Sequence, residues 1–186
     1  MASTTTETPQ TQLTLAGKVI ASKSIPSSTC KAPLPTPVTV TGANRGIGLG
    51  VAESCLVNGA SHVYSIDIST PDENSDYTAL SSRFPGKLHA ITANVTQEET
   101  IIAAIDSIIA EAGALHGMVV NAGRTHHKAA LEFTKEDLDN LWSVNLYGAF
   151  FTARAAAKAF IKQGVKGSIV FTASMASYRP NKKKKG

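Results

Sequence analysis

Three glycines at positions 42, 46 and 48 stand in Thr41-Gly-Ala-Asn-Arg-Gly-Ile-Gly48, directly after the β-branched run "VTVT" and ahead of a helical pattern. Glycine at these points lets the backbone turn sharply and lie close to a pyrophosphate, while free amides and the positive end of the helix dipole attract the anion. The stretch reads as a dinucleotide cradle, spaced differently from G-x-G-x-x-G because three residues separate its first two glycines. The plainer reading is a tight strand-to-helix turn without a ligand, and the correct strand and helix context weighs against it. Asp67 ends the second apolar run, 25 residues beyond Gly42. A carboxylate there accepts hydrogen bonds from an adenosine ribose and repels a 2′-phosphate, which favours NAD. Arg45, inside the loop, pulls the other way because a guanidinium pairs with a 2′-phosphate. A polar strand end capping the next turn is the plainer account of Asp67.

These residues need a scaffold, and the chain alternates accordingly. "VTVTG", "HVYSIDI", "KLHAITANV", "LHGMVVNAG" and "GSIVFTAS" read as five strands. Between them lie "GIGLGVAESCLVNG", a short polar helix, "QEETIIAAIDSIIAEAG" and one long helix over "TKEDLDNLWSVNLYGAFFTARAAAKAFIKQG". Ile101, Ile105, Ile108 and Ile109 recur at helical spacing, and Gly113 is placed to close their helix. Trp142 and the phenylalanines of the long helix also sit at core spacing. Alternating strands and helices imply an α/β fold: a Rossmann-type, doubly wound parallel sheet in the order 3-2-1-4-5. Its ligand would lie at the carboxyl ends of the strands, where the winding reverses.

Further residues follow the strands in order: Asn121-Ala-Gly123 after the fourth, Asn145 within the long helix and Ser174 after the fifth. With Thr-Gly-x-x-x-Gly-x-Gly, this set resembles the short-chain dehydrogenase/reductase family from about Val38 to Tyr178. In phrases such as "GANRGIGLG" and "GSIVFTASM" it is similar to fungal members acting on polyols and ketoses or serving secondary metabolism. The resemblance implies an oxidoreductase moving hydride between NAD(H) or NADP(H) and a small alcohol or carbonyl substrate. It implies cofactor contacts from Gly42, Asn44, Arg45, Gly46, Ile47, Gly48, Asp67, Asn121, Ala122 and Gly123. Asn94 falls where the family usually has an aspartate beside the adenine, and an amide donates and accepts there. Arg154 matches a position assigned to the cofactor, although a solvent-facing helix arginine is the plainer reading. Asn145, expected to face crowded apolar surroundings, is the family's helix-bending asparagine that holds a water in the proton relay. Ser174 would polarise the substrate carbonyl.

The family's catalytic tyrosine and lysine come a dozen or more residues after the serine, on a new helix. Here Tyr178 stands four positions beyond Ser174, and Pro180 lies between Tyr178 and Lys182, so this Tyr-x-x-x-Lys reads as coincidental. The expectation is therefore a chain whose C-terminal part of the fold is missing, catalytically silent as given. Self-association through the family's usual helix pair is not expected of it, since one of those helices would come after the tyrosine. A silent dinucleotide-binding module is the alternative function. At the other end, "LAGKV" is separated from "VTVTG" by a proline-rich stretch, which suggests intron sequence read as coding or an incomplete gene model.

Five of the eight prolines fall in residues 1–37, which read as a disordered segment ahead of a domain at 38–178 and a basic tail at 179–186. The net charge of +4 equals the contribution of Lys182 to Lys185, so the remainder is neutral and gives no reason to expect nucleic acid or an anionic membrane as partner. His126 and His127 are adjacent with no ligand-spaced Cys, Asp or Glu, so no metal site is expected. Two cysteines outside any disulfide framework, and no apolar run of about 20 residues, point to a cytoplasmic protein.

Overall fold

The structure, a computed structural model, describes residues 36–177. The proline-rich segment before residue 36, Tyr178 and the lysine run lie outside the described residues. Five short strands, β1 (Val38–Thr41), β2 (Val63–Asp67), β3 (Leu88–Thr92), β4 (Gly117–Val120) and β5 (Ser168–Phe171), form one sheet in the order β3-β2-β1-β4-β5. Every pairing is parallel. Parallel neighbours require crossovers, and the helices α1 (Gly46–Val57), α2 (Asp76–Arg83), α3 (Glu98–Ala112), α4 (Lys135–Trp142) and α5 (Ala149–Gln163) supply them.

Side chains alternate across each strand, so one strand feeds two cores. Tyr64 and Ile66 join Ile101, Ile105 and Ile108 of α3 and Ala156 and Phe160 of α5. Val63 and Val40 point the other way, against Leu49, Ala52 and Leu56 of α1 and Leu80 of α2. Ile101, Ile105 and Ile108 of α3 are buried as their spacing predicts and Ile109 partly so, and Gly113 ends that helix at φ 79°, a conformation that suits glycine.

The long helix differs from expectation. It is three consecutive pieces: α4, a π-helical segment over Ser143–Gly148, and α5. The wider turn rotates α5 relative to the continuation of a regular helix. Two aromatic side chains that the periodicity assigns to the core are in fact outside it: Trp142 is 51% exposed and Phe150 55%, whereas Phe160 is buried. Spacing identifies an apolar side of a helix, but does not say which side meets the sheet. Asn145 lies in the π segment and is exposed, so the crowded apolar surroundings expected for it are absent.

Candidate functional site

The glycine loop leaves the carboxyl end of β1 and becomes α1. Gly42 and Gly46 have φ of 66° and 61°, which a side chain would strain. A Cβ on Gly42 would meet the Ala122 Cα at 2.9 Å, and one on Gly48 would meet the Gly42 carbonyl oxygen at 2.2 Å and Asn121 Nδ2 at 2.6 Å. Gly46 instead faces open space. Two glycines are thus demanded by packing, and the third leaves room above the loop.

The N-terminus of α1 carries no side-chain cap and no acidic residue in its first turn. By contrast α2 is capped by Ser75, and α4 by a reciprocal Thr134–Asp137 box. The first amides of α1 and its positive dipole end are therefore available to an anion. Arg45 and Ile47 are exposed on the same turn. These features fit a pyrophosphate.

Asp67 closes β2 beside this loop. Its Oδ2 accepts the Asn44 amide at 3.2 Å and its Oδ1 the Ile68 amide at 2.8 Å. Asn44 is held further by its side chain, which donates to the Ser69 carbonyl at 2.6 Å and accepts from Ser65 Oγ at 2.7 Å. Three hydrogen bonds thus tie Asn44 of the loop to β2 and the turn after it.

Residues that pattern reading passes over do much of the positioning. Thr41 is fully buried, and its Oγ1 accepts the amides of Asn121 and Ala122, each at 3.0 Å, while donating to the Val119 carbonyl at 3.4 Å. Asn121 in turn donates through Nδ2 to the carbonyls of Thr41 and Gly42 and accepts Thr172 Oγ1 at 3.1 Å. The carboxyl ends of β1, β4 and β5 are stitched together by one threonine and one asparagine. A signal for Thr41 was present, since a hydroxyl at the last position of a buried strand needs partners.

On the β5 side, Asn145 accepts the Arg124 amide at Oδ1 and donates to the Arg124 carbonyl through Nδ2, both at 2.9 Å. It thereby clamps the segment beyond Gly123. Ser174 is exposed, and its Oγ accepts the Ala176 amide at 3.1 Å, while its own proton has no acceptor among the described residues. Asn94 Oδ1 accepts from the amide and hydroxyl of Thr96 at the turn into α3.

Arg154 is half-buried on α5 and engaged by a carboxylate. Its guanidinium forms a two-pronged pair with Glu98, with Nε 2.9 Å from Oε1, and lies over Phe150 and Phe151 at 5.0 and 5.4 Å. The pair holds the Glu98 carboxyl below its ordinary range, chiefly through the hydrogen bond from Arg154. That fork ties the start of α3 to α5. His126 Nδ1 lies 3.4 Å from Asp137, whose carboxylate also takes Lys128 Nζ at 2.6 Å. His127 is exposed.

The chain matches the short chain dehydrogenase family over residues 36–185. It belongs to that family. Among its relatives, 2-dehydro-3-deoxy-D-gluconate 5-dehydrogenase of Escherichia coli K12 is 37% identical over 141 residues, covering 75% of this chain and 54% of the relative. L-2,3-butanediol dehydrogenase of Corynebacterium glutamicum is 34% identical, covering 74% and 54%. A short-chain type dehydrogenase/reductase from Mycobacterium marinum superposes with a TM-score of 0.69 at 31% identity, covering 78% of this chain and 58% of that one. The chain spans about half the length of the curated relatives it matches. Its parallel sheet is the short-chain dehydrogenase arrangement, and no described helix is long and apolar enough to cross a membrane.

Proposed function

We propose that this short-chain dehydrogenase chain binds NAD(H) or NADP(H) and serves hydride transfer between that cofactor and a secondary alcohol or ketone. The observation that carries the reading is the uncapped start of α1, approached through Gly42, Gly46 and Gly48 and tied to Asp67. The amides of Gly46, Ile47 and Gly48 would hold the pyrophosphate. Asp67 would receive the adenosine ribose, with Arg45 alongside, and Asn94 would lie by the adenine. Asn121, Ala122 and Gly123 would line the nicotinamide ribose side. Bound, the cofactor gives or takes the hydride. Ser174 would donate its proton in a hydrogen bond to the substrate oxygen, where negative charge develops. Asn145 would keep the Gly123–Arg124 segment against that place. Arg154, engaged by Glu98, is assigned to holding α3 against α5 instead of to the cofactor.

The named relatives act on a deoxy-gluconate and a butanediol, which supports a small hydroxylated or keto substrate of polyol type. Handling in the cytoplasm is proposed from the two cysteines outside any disulfide framework. Calorimetric titration with NADH and NADPH, followed by turnover on a panel of polyols and ketones, tests the reading. Cofactor binding is the expected result, and turnover on a ketone would show that the reading of Tyr178 and Lys182 as a coincidental pair is wrong. Binding without turnover would mark a silent dinucleotide module. No binding of either cofactor would overturn the proposal.

A further inference from the structure

Ser65 lies in the middle of β2, fully buried, on the side of the strand that faces α1 with Val63. Among the described residues the hydroxyl makes one side-chain hydrogen bond, to Asn44 in the glycine loop, at 2.7 Å. The orientation of that amide is set by its other neighbour. The Ser69 carbonyl, 2.6 Å away, only accepts, so Asn44 must turn Nδ2 toward it and Oδ1 toward Ser65. Ser65 is then obliged to be the donor. The amide is bracketed between a strand centre and a strand end, and its backbone N–H is thereby aimed at Asp67 Oδ2, 3.2 Å away. With Ile68 occupying Oδ1, both oxygens of Asp67 are restrained by backbone amides.

We propose that Ser65 is a positioning residue for cofactor choice: through Asn44 it keeps the Asp67 carboxylate where a 2′-phosphate would have to be. This inference rests on the loop being an NAD(P) cradle. A carboxylate free to turn about its side-chain torsions yields to an incoming phosphate, and Arg45, the next residue of the loop, then pairs with that phosphate. A carboxylate held by two amides cannot yield without breaking them. Discrimination between the two cofactors therefore depends on a hydroxyl that touches neither of them.

Calorimetric titration of the full 186-residue chain with NADH and NADPH, in parallel with Ser65→Ala, Asn44→Ala, the double variant and Asp67→Ala, tests it. Wild type is expected to prefer NADH. Ser65→Ala should shrink that preference by about threefold to tenfold, the worth of one hydrogen bond, and Asn44→Ala by a similar factor. The double variant should shrink it no further, because both changes break the same link. Asp67→Ala should abolish the preference. A purely structural role for Ser65 would weaken both cofactors together and leave their ratio fixed, which would overturn the inference. So would a wild-type preference for NADPH. Should Ser65→Ala fail to fold by circular dichroism, Asn44→Ala decides by the same ratio. If wild type binds neither cofactor, the cradle reading fails first and this inference fails with it, a result distinct from binding with an unmoved ratio.

Discussion

Gly48 and Gly50 are near neighbours in α1, yet replacing each by alanine should have opposite effects. A methyl on Gly48 meets the Gly42 carbonyl at 2.2 Å and the Asn121 amide at 2.6 Å, and both are fixed by the strand ends. Gly48→Ala should cost about 1–3 kcal/mol and displace the loop, read as a lower midpoint in urea together with lost cofactor binding. Gly50 is exposed in the same helix with nothing within 4 Å of its missing methyl. Gly50→Ala should stabilise by about 0.5–1 kcal/mol, since glycine is a poor helix residue. Thr41→Val offers a third comparison. It preserves shape but removes the oxygen that takes the Asn121 and Ala122 amides, so about 1–3 kcal/mol should be lost in the same urea assay. The glycines were legible as a motif, but the pairing of Thr41 with Asn121 was not. Those residues are 80 positions apart and meet only once β1 and β4 are neighbours.

Among the elements, the strands and α1 to α3 can be read directly from local signals: short β-branched runs, an isoleucine stripe and a terminal glycine. The interruption of the long helix cannot. A π segment has a wider turn than the 3.6 period assumes, and only the family resemblance, through the helix-bending Asn145, marks it. Nor is the Glu98–Arg154 fork readable, since its partners come from two helices 56 residues apart. α4 announces its own start through Thr134 and Asp137, and this cap carries a pH signature. Asp137 is held far below the ordinary aspartate range, first by the hydrogen bond from Lys128 and then by the Thr134 amide. A depressed carboxyl stabilises the fold above its unfolded-state value, and that contribution is lost as pH falls through the folded-state value. Asp137→Asn should therefore lower the melting temperature at neutral pH, and the difference from wild type should close in strong acid. A gap that persists unchanged at low pH would show that the charge of Asp137 is immaterial to the cap.

For the molecule as a whole, the two cores on opposite faces of the sheet share one vulnerability. Tyr64 lies in the α3 and α5 core and Tyr77 in the α1 and α2 core, and neither hydroxyl has a hydrogen-bond partner among the described residues. Burial pushes both phenols up to about 12, with the nearby negative charge of Glu111 adding to the rise at Tyr64. Groups raised in the folded state stabilise it below their unfolded value and cease to do so as pH climbs through the folded one. Alkaline unfolding should therefore begin above about pH 10, the ordinary phenol value. Tyr64→Phe and Tyr77→Phe should each move it to higher pH, followed by far-ultraviolet circular dichroism. The choice of that probe is itself dictated by the fold. The chain has a single tryptophan, and Trp142 stands half in water at the end of α4 instead of in either core. Its emission in the native state should already lie close to that of an unfolded chain, so the customary spectral shift should register little while both cores come apart.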